Sequence, residues 1–344
     1  MTPNKKATIN DVARHADVSK KTVSRVINNE KNISAATLHK VKTVIQQLNY
    51  SPNSQARGLA SSRSFLLAMI YDNPNPDYIT EAMHGALSEC RLQGCELVIH
   101  PCDSTARDMD ESIIEFIQRL KIDGAILLPP VSESERLISK LKAVNCNYVR
   151  LLSVDSDNLD HIIRCNDRQA VSQISDHLVA LGHKNIGFIQ GPKAYQSAIE
   201  RKEGFRQALE DRGLTLPENR VAMGDYTYQS GMECAEWLLN SSRPPTAIFA
   251  SNDQMALGVI TTAKKMGINI PTDLTVIGFD DSPQASRVWP ALTTMDLHIS
   301  QMSQMATRKL LTKYNDDKAL SASIQTEFLP TFIQRQSTAR PKNT

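Results

Sequence analysis

Three short amphipathic helices crowded into the first fifty residues constrain this chain more than anything that follows. Val12, Ala13 and Ala16 share one helical face, and Val23, Val26 and Ile27 repeat that spacing on a second helix. Between them, Ala16-Asp17-Val18-Ser19 makes a tight turn. Asp17 tolerates the left-handed backbone such a turn needs, though less readily than Gly. Ser19 can cap the second helix by accepting a hydrogen bond from a free amide. A third helix opening at Ser34 offers Leu38, Val41, Ile45 and Leu48 to the shared core. This packing leaves Lys20, Lys21, Thr22, Ser24, Arg25 and Asn28 facing outward. A helix-turn-helix of this kind lays its second helix in the major groove of DNA. A plain bundle with a solvated basic face would share the charge, but not the coincidence of turn, cap and outward cations.

The charge distribution agrees. Residues 1–63 hold eleven Lys/Arg against three Asp/Glu, a net of +8, and the rest of the chain carries −6 to give the overall +2. A phosphate-seeking head on a mildly acidic body fits a nucleic-acid partner and salt-sensitive binding. A membrane surface fits poorly, because the segment lacks the broad apolar face with Trp or Phe used by interfacial helices.

Residues 51–63 form a separate unit. Pro52 fixes its start, and residues 53–60 have room for about two helical turns. Gly58 and the short length make such a helix marginal alone, so it should order only when docked. A flexible linker is the plainer alternative.

Beyond residue 63, short apolar runs at 65–70, 96–100, 124–128, 148–152, 186–189, 247–250 and 274–277 alternate with helical patterns at 79–93, 112–120, 169–181 and 254–266. Strands alternating with helices imply an α/β fold with parallel sheets covered on both faces. About 280 residues exceed one usual domain, so two lobes are expected. Ligands of open parallel sheets sit at the carboxyl ends of the strands. Asp72 and Asn73, Asn252 and Asp253, and Asp280 and Asp281 all follow strand-like runs. Gly191-Pro192 leads toward Arg201. A carboxylate, an amide and a guanidinium around one cleft suit a polyhydroxylated ligand. The same residues could equally be strand-end caps and lobe-bridging ion pairs.

Residues 8–60 resemble the headpiece and hinge of the LacI/GalR family of bacterial transcription regulators. The run Val18-Ser-Lys-Lys-Thr-Val-Ser-Arg-Val-Ile-Asn28 is highly specific for it, and the likeness continues to Leu329-Pro-Thr-Phe-Ile-Gln-Arg-Gln-Ser337. The resemblance implies a helix-turn-helix headpiece at 1–50 and a hinge helix at 51–63. A two-lobed periplasmic-binding-protein-like core of doubly wound parallel sheets then follows. Its first lobe spans 64–163 and 295–326, and its second 164–294 and 327–340.

It further implies that Lys20, Lys21 and Arg25 reach base edges, where Lys and Arg donate to guanine. Thr8, Ser19, Thr22, Ser24, Asn28 and Tyr50 would contribute contacts around them, and Asn53, Ala56 and Arg57 would do so from the hinge. Leu59 matches a Leu that wedges into the minor groove. Asp17 departs from the family, which usually has Gly there. In the core, Ser197, Arg201, Tyr226, Asn252 and Asp280 match effector-contacting positions. Leu151-Leu-Ser153 stands where many members have Leu-Ile-Asp, and Asp72, Asn75 and Tyr78 are the candidate first-lobe substitutes.

The expected function is therefore a cytoplasmic repressor of carbohydrate-utilisation genes. It would bind a pseudo-palindromic operator as a homodimer and be released by a small sugar effector. The alternative is a regulator co-repressed by a purine or another small metabolite. A secreted solute-binding protein would share the lobes, but the sequence lacks an export signal and such a protein would not need the basic head. No Leu-rich heptad tail follows the core, so the tetramer-forming helix of some members is not expected. No enzymatic role is expected either, because the nucleophile-elbow, dinucleotide, phosphate-loop and zinc-helix motifs are all missing. The six cysteines and eight histidines show no metal-ligand spacing. Neither metal nor cofactor is expected, and the cysteines suit reduced thiols.

Overall fold

The computed structural model describes residues 7–27, 33–50, 63–151, 159–312 and 324–342. These fall into two compact units, divided in the sequence between Phe65 and Leu66. The first is a headpiece of α1 (Ile9–His15), α2 (Lys20–Ile27) and α3 (Ala35–Gln47). Val12, Ala13, Ala16, Val23, Val26, Val41 and Val44 form its core, with Leu38, Ile45, Leu48 and Tyr50 packed partly buried against them. Val44 takes one of the central places, with Ile45 only partly buried beside it.

The second unit contains two parallel sheets. The first is built from β1 (Leu66–Tyr71), β2 (Glu96–Pro101), β3 (Gly124–Leu127), β4 (Asn147–Leu151), β5 (Ile162–Cys165) and β11 (Glu327–Phe328), in the order β11-β5-β4-β3-β1-β2. Leu67, Ala68, Met69 and Ile70 are fully buried, as expected for a strand covered on both faces. Helices α4 (Pro76–Gln93), α5 (Met109–Leu120) and α6 (Glu135–Ala143) connect the strands.

The second sheet contains β6 (Ile186–Gln190), β7 (Val221–Met223), β8 (Ala247–Ala250) and β9 (Thr275–Ile277), in the order β7-β6-β8-β9. Its helices are α7 (Asp167–Leu181), α8 (Gln196–Glu210), α9 (Tyr228–Leu239) and α10 (Asp253–Lys265). The chain then returns through β10 (Thr294–Asp296) to α11 (Ile299–Thr312). After β11, strand β12 (Thr331–Ile333) pairs antiparallel with β10. Both β5 and β11 belong to the first sheet, so the chain leaves that lobe a few residues later than 163 and 326.

Helices α4 and α11 cover one face of the first sheet, and their backbones approach closely at Gly85. A Cβ there would fall 1.9 Å from the carbonyl oxygen of Ser300. One turn on, the buried Glu89 carboxylate accepts a 2.8 Å bond from Arg308. Gly85→Ala must therefore push the two helices apart. We expect a loss of about 1–3 kcal/mol in urea unfolding. An unchanged unfolding midpoint would contradict the close approach.

Candidate functional site

In the headpiece, Thr8 caps α1, and its backbone amide and hydroxyl both donate to Asp11 in a capping box. Asp17 adopts φ 48°, the left-handed turn conformation expected of it. Ser19 accepts from the Thr22 amide at 3.1 Å and so fixes the start of α2. Val23 and Val26 point into the core, while Lys20 and Lys21 are exposed and Thr22, Ser24 and Arg25 half-buried. Tyr50 packs against the same core, and burial raises its phenol pKa. Asn28, Asn53, Ala56, Arg57 and Leu59 lie outside the described residues, as does Ser153.

Between the two sheets of the core lies a cleft lined by Asn73, Asn75, Tyr78, Pro129, Tyr195, Ser197, Arg201, Tyr226, Asn252 and Asp280. Strand ends and helix starts supply most of these residues, as parallel topology requires. Asn75 caps α4 by accepting from Asp77 and Tyr78, and its side-chain amide donates to Asp280 at 3.3 Å. Asn252 caps α10 by accepting from the Met255 amide at 2.9 Å, and donates to the Tyr226 carbonyl at 3.0 Å. Cap and cleft wall are thus the same residue in both cases.

Arg201 forms the floor. Its Nε donates to Asp167 at 2.7 Å and its Nη1 to the Ser251 carbonyl at 2.6 Å, with Asp280 at 3.9 Å. The guanidinium lies 3.7 Å over the Phe279 ring. Burial pushes the Asp280 carboxyl well above the usual range, and the Arg201 charge only partly opposes it. Burial likewise drives the Tyr226 phenol up to about 12. The buried Tyr78 hydroxyl has no hydrogen-bond partner among the described residues.

Tyr226 and Asp280 hold φ of 68° and 119°. Non-glycine residues adopt such angles at a cost of about 1–3 kcal/mol each, and only where their surroundings enforce it. Here the enforcement is visible. The Asp280 amide donates to the Met295 carbonyl at 2.9 Å, and Asn252 holds the Tyr226 carbonyl. Gly191 leaves room for the Tyr226 ring, since a Cβ there would fall 2.3 Å from it.

Asp72 does not line the cleft. Its carboxylate accepts from the Ser104 amide at 2.8 Å, and its carbonyl accepts from the Tyr195 hydroxyl at 2.9 Å. A loop contact far along the sequence has taken the side chain that strand-end position alone offered to the ligand. Asn73, its neighbour at the same strand end, does line the cleft, whereas sequence reasoning passed over Pro129 and Tyr195 and missed Asp167. Asp167 follows β5 at a strand end, so the rule that selected Asp280 would have selected it had β5 been recognised.

The six cysteines are free thiols. Among the described residues no cluster of His, Cys, Asp or Glu could hold a metal ion, and no helix is long and apolar enough to cross a membrane.

Arg201→Met would leave Asp167 and Asp280 buried without their counter-charge. Removing one partner from a buried ionic cluster costs about 3–5 kcal/mol, so urea unfolding should shift to markedly lower concentration. Wild-type stability would show that the cluster is not held as described.

Comparison with known proteins places this geometry. Residues 8–53 match the model of bacterial regulatory proteins of the lacI family, and residues 175–338 match a periplasmic binding protein-like domain. Catabolite control protein A of Priestia megaterium is 34% identical over 333 residues, covering 96% of this chain and 99% of that protein. The HTH-type transcriptional repressor PurR of Photorhabdus laumondii subsp. laumondii is 30% identical over 338 residues, covering 96% of each. Among solved structures, the lac repressor dimer bound to operator and the anti-inducer ONPF superposes with a TM-score of 0.75 at 26% identity. That match covers 97% of this chain and 100% of the other. Extended headpiece homology, a two-lobed core and relatives matched end to end lead to one conclusion: the chain belongs to the lacI family of bacterial regulatory proteins.

Proposed function

We propose that this protein is a cytoplasmic transcriptional repressor that binds a pseudo-palindromic operator as a homodimer and releases it on binding a neutral sugar. The observation that carries this reading is α2. Its apolar stripe of Val23 and Val26 locks it to the headpiece, and Lys20 and Lys21 are exposed at the end that Ser19 caps. Cations at the first turns of such a helix suit guanine edges in the major groove. Thr8, Ser19, Thr22, Ser24, Arg25 and Tyr50 would serve as positioning contacts to phosphate and sugar or, for Arg25, to a base.

The cleft supports a polyhydroxylated effector. Asn75, Tyr78, Ser197, Arg201, Tyr226, Asn252 and Asp280 surround it with donors and acceptors on both lobes. The charges there argue for a neutral one. Arg201 already faces two carboxylates, Asp167 and Asp280, so the floor offers no surplus positive charge to a uronate or a sugar phosphate. A flat purine base is less favoured. Tyr195 and Tyr226 meet edge to face at 85°, with centroids 5.1 Å apart, and do not form a parallel-walled slot.

The cavity is only about 30 Å³, room for a water or two. The lobes must part to admit a sugar and close again around it. Such a ligand regulates DNA binding only by favouring one state of the dimer over the other.

A melting-temperature screen tests the effector class, because a bound ligand stabilises by mass action. Neutral mono- and disaccharides should include one that raises the melting temperature, and Asp280→Ala should abolish that rise without weakening operator binding. A response confined to glucuronate, glucose 6-phosphate or adenine would contradict the neutral-sugar assignment. On the DNA side, Lys20→Ala should cost about 1–3 kcal/mol on a selected operator and relax preference at one base pair. Equal losses on operator and random duplex would reduce Lys20 to a phosphate contact.

A further inference from the structure

The two lobes are joined across the cleft by a contact that none of the cleft-lining residues makes. Helix α8 begins the wall that carries Ser197 and Arg201, yet its N-cap is Tyr195, which makes no side-chain capping bond. Tyr is a poor cap, and the first amides of a helix need acceptors. The acceptor comes from the other lobe. Glu133 stands on the turn after β3, and both of its carboxyl oxygens accept from the Gln196 amide, at 3.1 and 3.0 Å.

We propose that Glu133 is a positioning residue for the closed cleft, reaching from the first lobe to cap the second-lobe helix that presents Ser197 and Arg201. When the lobes part, α8 loses its cap. Glu133 therefore caps α8 only in the closed arrangement and helps to aim the effector-facing end of α8.

The surroundings of this carboxyl make the cap responsive to protons. From its own lobe it faces Arg150, a fully buried side chain that donates to the Ser132 carbonyl and pairs with Glu135 at 3.0 Å. From the second lobe it faces Tyr195, whose hydroxyl is spent on the Asp72 carbonyl, and Gln196, whose side-chain amide donates to Glu200. Burial is the largest influence and raises Glu133 to about 7, against the opposing pull of the Gln196 amide and Arg150. With the lobes parted the group returns to water and to an ordinary carboxylate value. Closure therefore takes up a proton below about pH 7, and the closed state gains as pH falls. One such proton favours closure about tenfold between pH 8 and pH 6. The protonated group still offers its carbonyl oxygen to Gln196.

Hydrogen exchange at single-residue resolution on the full-length protein tests this without any effector, so its outcome is independent of which sugar the cleft accepts. Protection of the Gln196 amide is measured from pH 6 to 8, corrected for intrinsic exchange, with Phe205 further along α8 as internal reference. Wild-type protection should rise about tenfold from pH 8 to pH 6. Glu133→Gln, an uncharged acceptor of the same shape, should be at least as protected as wild type at pH 6 and should lose most of the wild-type rise between pH 8 and pH 6. Glu133→Ala should lose protection at Gln196 while Phe205 stays protected, which shows that α8 remains folded. The proposal is overturned if Gln196 is unprotected throughout in wild type, if Glu133→Ala matches wild type, or if Glu133→Gln keeps the wild-type pH dependence.

Discussion

A positive charge with almost no access to water organises the core of this protein. Arg201 is 3% exposed, and an ionised side chain is tolerated there only if every direction it faces supplies compensation. The fold delivers it from separate strand ends. Asp167 comes after β5, the Ser251 carbonyl after β8, and Phe279 and Asp280 after β9. Holding these groups on one guanidinium fixes the strand ends relative to α8. The strained backbone at Asp280 is part of the same arrangement, with its carboxylate 3.9 Å from Arg201 and accepting from Asn75 at 3.3 Å. Stability and ligand chemistry are therefore located in one cluster.

Much of this was legible in the residues, and the division between what was and was not has a physical basis. The headpiece is specified by short-range signals. A capping Ser19, a turn-tolerant Asp17 and apolar residues at helical spacing need no distant partner, and they take the expected places except that Val44 sits deeper in the core than Ile45. The long apolar runs were recognisable as strands because burial on both faces leaves them no polar alternation. Strands β5, β7, β10, β11 and β12 escaped, since they have two to four residues and include polar or exposed positions. Their status as strands comes from pairing with neighbours that lie far away in sequence. The same holds for side-chain allegiance in the cleft. Nothing local tells Asp72 to serve Ser104, or Glu133 to serve Gln196. Position at a strand end identifies the neighbourhood, and tertiary contacts assign the partner.

Among the described residues, polar contacts join the lobes: Asn75 to Asp280, Gln254 and Gln284 to Asp77, Tyr195 to the Asp72 carbonyl, and Glu133 to Gln196. Such an interface opens at modest cost, because each group can exchange its partner for water. That suits a protein whose two states must lie within a few kcal/mol of each other if a small ligand is to shift between them.

The central claim is that occupancy of this cleft is energetically coupled to DNA reading by the headpiece. Its most direct test is fluorescence anisotropy on an operator that the protein itself selects from random duplexes. Titrations at fixed salt would be run with and without the sugar that raises its melting temperature. The account predicts at least about a fivefold weakening of operator affinity with sugar, the lower end of ordinary allosteric coupling, and little change on random duplex. Identical operator affinity in both titrations would contradict it.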